Sequence, residues 1–166
     1  MTEKPSQDFS GQDLSGAQYD ESFTDGSNFT GANLSGADFS GASLINCVFT
    51  NAQMVNFVGE GAQFGGSSFT KANIMGANFA GADLANCTFA YTDLTNVCFD
   101  GANLFNVDLR DAILDGATFE GAILEETIFP SKAGTWSSSS ESDDESSDDD
   151  DGDGFREDYM RDSGNY

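Results

Sequence analysis

No histidine occurs in the 166 residues, and only six side chains are lysine or arginine against 29 aspartates and glutamates. Without imidazole the chain lacks the commonest general base and a frequent metal ligand. Its three cysteines have no neighbouring base to activate them. Serines and aspartates recur at a fixed interval without converging on a cluster, and Gly31, Gly36 and Gly41 are spaced five apart, unlike a phosphate-cradling loop. The chain is therefore expected to be no enzyme and to bind no cofactor. The scarcity of positive charge argues against direct nucleic-acid binding, which rests on Lys and Arg meeting phosphates. No apolar run is long enough to span a bilayer, and Met1-Thr2-Glu3-Lys4-Pro5 has neither the basic start nor the apolar stretch of a leader. A soluble cytoplasmic protein without membrane contact is the expectation.

What the chain has in quantity is a period. Every fifth position from Phe9 to Phe129 is large and apolar in 23 of 25 cases, the exceptions being Thr24 and Gly59. A period of five fits neither the 3.6 of a helix nor the 2 of an open strand, so the backbone must turn a corner once per repeat. Such a chain is a solenoid. Two positions before each large centre stand Ala, Ser, Cys, Thr or Val (Ala17, Ser27, Ala62, Cys87, Val107), and two positions after it Gly or Asn (Gly31, Gly76, Asn46, Asn96). Small and large residues alternate to fill a narrow interior, and the corner residues are those that tolerate positive φ.

The unit reads Ala-(Asn/Asp)-(Leu/Phe)-X-Gly, as in Ala32-Asn33-Leu34-Ser35-Gly36, Ala37-Asp38-Phe39-Ser40-Gly41 and Ala77-Asn78-Phe79-Ala80-Gly81. It closely resembles the pentapeptide-repeat family, over residues 7 to about 131 and without an insertion or phase slip. The resemblance implies an all-β, right-handed, four-sided β-helix with four repeats to the coil. A twenty-residue super-period agrees with four sides. Centres 9 to 129 form a Phe wall containing Phe29, Phe49, Phe69 and Phe89, and centres 19 to 119 a second containing Phe79 and Phe99. Between them lie Leu-rich walls with Leu34 and Leu94 on one and Leu84 and Leu104 on the other. About six coils, with strands stacked ~4.8 Å apart, make a rod roughly 30 Å tall. Gly59 should leave a hole that Phe57, at the small inward position of the same repeat, can fill. Thr24 beside Phe23 is either a one-residue displacement or a frayed first coil.

Cys47 and Cys87 occupy equivalent inward positions two coils apart, roughly 10 Å, too far for a disulfide. With Cys98 outside that column, they read as small core residues in a reducing compartment.

Composition divides the chain into a short lead (1–6), the repeats (7–131) and a Ser/Asp-rich tail (132–166). The tail carries Ser137-Ser138-Ser139-Ser140-Glu141 and Asp148-Asp149-Asp150-Asp151. It has too few apolar residues to offset its ordering entropy and is expected to be disordered. Its readings are a solubilising tail or a soft arm for a basic partner. Ser140, Ser142, Ser146 and Ser147 each have an acidic residue three positions on, similar to acidophilic kinase sites. Asp149, Asp151 and Asp153 resemble the start of a calcium loop, but Met160 stands where the bidentate Glu belongs, so a dedicated metal site is not expected.

What remains is surface. Asp20, Glu60, Asp100 and Glu120 follow centres on one wall, with Glu21 and Asp38 beside them, and together they are the candidate interaction stripe. Carboxylates along a straight wall imitate a row of phosphates and would attract a basic groove. The family includes quinolone-resistance proteins that bind DNA gyrase and topoisomerase IV as duplex mimics, which makes a type II topoisomerase the partner implied by resemblance. Here the unbroken phase leaves no loops, and nothing after Phe129 looks like a dimer helix. The expected function is a non-enzymatic acidic protein-interaction scaffold. The alternatives are a DNA mimic for a basic DNA-binding protein, and acidity serving solubility in high salt. Ile113, Ile123, Ile128 and Phe129 in the last coil carry no polar cap, so end-to-end homodimerisation is a further expectation.

Overall fold

The structure, a computed structural model, describes residues 6–19 and 24–131. Its β-structure consists of isolated parallel bridges, and every bridge joins residues twenty apart, as along Asp8, Asn28, Val48, Ser68, Thr88, Asp108 and Ile128. Four such columns run side by side, so the described chain is a four-sided β-solenoid. No helix occurs among the described residues.

The hydrogen bonds show why a five-residue unit suffices. Most large centres donate their amide forward to the next coil (Phe29 N to Val48 O, 2.7 Å), and the residue before a centre donates back to the previous coil (Val48 N to Ser27 O, 3.0 Å). The corner closes when the amide three residues after the centre bonds the centre's own carbonyl (Ala32 N to Phe29 O, 3.0 Å). The residue two after the centre then takes the positive φ of a type II turn, 66° at Gly31 and 56° at Asn46. Lys71, Tyr91 and Glu126 take the same left-handed conformation at 56–59° without being Gly or Asn. The ladder bonds on both sides of the corner impose it on them.

Inside, the centres stack on their equivalents one coil away. Phe29, Phe49, Phe69 and Phe89 form a nearly parallel column with centroids 4.8–4.9 Å apart. Phe79 stacks on Phe99 at 5.8 Å, and the edges of the two Phe columns meet in the middle of the rod. On the Leu walls, Leu34, Leu84, Leu94 and Leu104 are fully buried, while Leu14 and Leu124 at the ends are half-buried. Phe57 occupies the rung that Gly59 vacates, with its ring 5.4 Å from Phe39 and 5.8 Å from Phe79. A Cβ on Gly59 would lie 3.0 Å from the rings of both Phe57 and Phe64, so the glycine and the displaced phenylalanine require each other. At Thr24 the substitution is less well met: its hydroxyl is buried with no hydrogen-bond partner.

Polar residues at the small inward position have a use of their own. Ser67 Oγ donates to Leu44 O (2.7 Å), Thr92 Oγ1 to Phe69 O (2.8 Å) and Thr127 Oγ1 to Leu104 O (2.8 Å), each reaching down to the coil below. The thiols of Cys47 and Cys87 make the same contact, to Thr24 O (3.2 Å) and Phe64 O (3.1 Å).

Candidate interaction surface

The outer walls are built on one recurring bond. The amide just after each centre takes no part in the coil-to-coil ladder, and an Asn or Asp just before the centre accepts it in an Asx turn. At Asp38 the acceptor Oδ1 takes Ser40 N (2.9 Å) and Ser40 Oγ (2.6 Å). The same turn forms at Asp8, Asp13, Asn28, Asp93 and Asn103. Hydrogen bonds from the serine hydroxyls, and then from their amides, hold the carboxyls of Asp8, Asp13 and Asp38 below the ordinary carboxylate value.

Where the residue before the centre cannot accept in this way, a carboxylate from the coil below can take over. Ser43 precedes Leu44 and Thr118 precedes Phe119, so the amides of Ile45 and Glu120 turn to Asp25 Oδ1 and Asp100 Oδ1, both at 2.9 Å. The Ser43 hydroxyl adds a second bond to Asp25 (2.6 Å). These caps were not foreseen from sequence. Their signal is an Asp directly after a centre, twenty residues before a repeat that lacks its Asn or Asp.

The candidate stripe is thus a mixture. Glu60 and Glu120 are exposed, while Asp38 and Asp100 are half-buried and engaged with backbone. Glu60 accepts a long bond from Asn78 Nδ2, 3.4 Å. Asp20 and Glu21 lie outside the described residues. Ser40 and Ala80 interrupt the row, so Glu60, Asp100 and Glu120 place three charges along about 14 Å at ~4.8 Å per coil. A duplex with one charge per ~1.7 Å carries about eight over that length. Nor is this wall singled out in charge, since the wall containing Leu84 and Leu104 carries Asp25, Asp83, Glu125 and Glu126.

Height along the rod discriminates more sharply than wall. Residues 39–82 contain one carboxylate, Glu60, and one cation, Lys71; residues 83–126 contain nine carboxylates and one cation, Arg110. Arg110 Nε lies 2.9 and 3.0 Å from the two oxygens of Asp108, the one ion pair among the described residues. The bonds from Arg110 hold the Asp108 carboxyl low, and Asp108 in turn raises the guanidinium pKa. The C-terminal coils also expose Ile113, Ile123 and Ile128 on their outer walls.

Burial pushes the thiols of Cys47 and Cys87 up to about 11 and about 12, so neither is a thiolate at neutral pH. Cys98 is half-buried, and all three are free. Among the described residues no group of three or more His, Cys, Asp or Glu could hold a metal ion, and no helix is long and apolar enough to cross a membrane. Asp149, Asp151, Asp153 and the serines of residues 132–166 lie outside the described residues.

A solenoid of five-residue units, with inward centres and Asx-capped outer walls, defines a class of repeat protein built by stacking one short unit. The family model for pentapeptide repeats matches eight copies over residues 25–57, 67–104 and 102–130, more than half of the chain. The chain belongs to the pentapeptide-repeat family. Among solved structures it is similar to HetL, a pentapeptide repeat protein involved in heterocyst differentiation regulation in the cyanobacterium Nostoc sp. strain PCC 7120. The two share 21% identity over 75% of this chain and 81% of that one, with a TM-score of 0.36. It is also similar to trypsin-treated QnrB1, a plasmid-mediated fluoroquinolone resistance protein, at 21% identity over 74% and 72% of the two chains, with a TM-score of 0.41. A third is Rfr23 from the cyanobacterium Cyanothece 51142, at 20% identity over 71% and 88%, with a TM-score of 0.32. No curated protein matches the chain.

Proposed function

We propose that this pentapeptide-repeat protein is a non-enzymatic acidic interaction scaffold, a right-handed rod of about six coils that binds a basic protein surface. The observation that carries the reading is the excess of nine carboxylates over one self-paired arginine in residues 83–126. Residues 134–166 add twelve acidic residues against two arginines. A basic partner would be drawn to this end of the chain, and the attraction would fall steeply with salt because exposed charges are screened beyond about 8 Å at physiological ionic strength.

The narrower version is a mimic of DNA acting on a type II topoisomerase through the stripe. Its test is inhibition of gyrase supercoiling at micromolar protein, compared with a variant carrying Asn or Gln at Asp20, Glu60, Asp100 and Glu120. Asn at position 100 preserves the acceptor that Glu120 N needs. Inhibition that the variant loses supports the mimic. No inhibition by the unaltered protein removes the topoisomerase version, and salt-independent binding to every basic protein tried removes the electrostatic scaffold. The alternative, acidity as a high-salt adaptation, predicts unfolding when salt is withdrawn. End-to-end homodimerisation would bury Ile113, Ile123 and Ile128, but it would also bring the carboxylates of two acidic ends together. Light scattering reports it directly.

A further inference from the structure

The two ends of the solenoid differ in kind. Among the described residues, the outward bridge residues at the N-terminal end are Asp8, Asp13 and Gln18 on three walls, and the last rung on the four walls is Ile113, Thr118, Ile123 and Ile128. The three isoleucines are 51, 49 and 44% exposed. They stand where Asn or Asp elsewhere accepts the amide after the centre, so Ile113 and Ile123 each forgo an Asx bond, Ile128 is followed after its centre by Pro130, which has no amide to donate, and all three leave apolar surface in water. They point away from the core, so interior packing does not account for them. Ile128, at the top of the Phe69 wall, lies between Ile113 and Ile123 on the two adjoining walls, and the three make a collar. Asp111, Asp115, Glu125 and Glu126 around it are exposed.

An apolar centre inside a rim dominated by carboxylates, with Arg110 on the rung below held by Asp108, is the anatomy of a binding surface for a partner of the opposite sign. We propose that the collar of Ile113, Ile123 and Ile128 is the docking site for a basic amphipathic protein segment, whose apolar residues cover the isoleucines while its Lys and Arg meet the surrounding carboxylates. This rests on the scaffold reading above and places the contact at the C-terminal coil instead of the long stripe. A second copy of this chain and its own residues 132–166 are both acidic, so each would add like charge to the rim. A basic segment neutralises it.

The test uses the full chain and an 18-residue leucine–lysine peptide with leucines at amphipathic helical spacing. A scrambled peptide of the same composition is the control, and binding is read by fluorescence anisotropy at physiological salt. The amphipathic peptide should bind on the order of tenfold tighter than the scrambled one, since a few buried apolar anchors carry most of an interface's energy. The triple variant Ile113→Asn, Ile123→Asn, Ile128→Asn should erase that preference while binding the scrambled peptide as before. Asn is the residue that Asn28, Asn33 and Asn103 present at this position, so the variant is expected to fold. Should its circular dichroism be lost, Ile128→Thr, copying Thr118 of the same rung, should reduce the preference instead. A preference that survives substitution overturns the collar, as does equal binding of both peptides by the unaltered chain; either leaves the charge-driven scaffold standing. Failure of both peptides to bind sinks both readings. A dimer seen by light scattering and abolished by the triple variant identifies a second copy as the occupant and refutes the proposal.

Discussion

Replacing Phe69 with Ala tests the inward ladder where it is densest. The ring is fully buried and lies between Phe49 (4.9 Å, 4° between planes) and Phe89 (4.8 Å, 2°), with Phe64 and Phe79 tilted toward its edges at 5.6 and 6.0 Å. Truncation removes the transfer free energy of the ring and leaves a cavity whose walls are held by the ladders above and below, at a cost of about 3–5 kcal/mol. The stacked pairs place the expectation toward the upper part of that range, because each is worth about 0.5–1.5 kcal/mol beyond its buried area. Against a total of about 5–15 kcal/mol for an ordinary domain, that is a large fraction of stability. The matched control is Asn73→Asp on the outer wall. It keeps the Oδ1 that accepts Met75 N, gives up the 3.3 Å bond to Gln53 and places a charge beside Asp93. Its cost should stay within about 1 kcal/mol. Urea unfolding followed by far-ultraviolet circular dichroism separates the two. Equal midpoints for Phe69→Ala and Asn73→Asp, with unchanged slopes, would refute the inward assignment of the Phe wall.

Asp100→Ala strands the Glu120 amide and should cost about 0.5–1.5 kcal/mol, whereas Asp100→Asn and Glu120→Gln should leave the urea midpoint nearly unchanged. If Ala and Asn behave alike, Asp100 is not a cap. The depressed carboxyls of Asp8, Asp13, Asp38 and Asp108 set the acid limb. A folded-state pKa below the unfolded value of about 3.9 contributes stability that is full above that pH and is lost as pH falls through the lower folded value. Relief of repulsion among 29 acidic residues acts in the opposite direction, so the comparison is wild type against Asp38→Asn at each pH. The gap in melting temperature between them should shrink below about pH 4, and a constant gap down to pH 2 would contradict the assignment.

The inward and outward register, the corner positions and the four walls are legible in the chain because each five-residue unit restates them locally. A large centre, a small residue two before it and a left-handed corner two after it are nearest-neighbour requirements. The exchange of Phe57 for Gly59 is legible for the same reason, since both lie in one repeat. Other features depend on what lies one coil away, and there the tertiary structure decides. Asp25 and Asp100 look like two more surface acids until the fold sets them beneath Ile45 and Glu120, whose amides lack the usual acceptor. Asp38 looks like a member of a stripe until its oxygen is seen holding Ser40. Lys71, Tyr91 and Glu126 occupy corners their residue types do not favour, because paired rungs on either side leave the backbone no alternative. Ile113, Ile123 and Ile128 are three isoleucines scattered over sixteen residues in sequence. Only the twenty-residue closure of the solenoid turns them into the last rung on three of its walls, where no further coil among the described residues covers them.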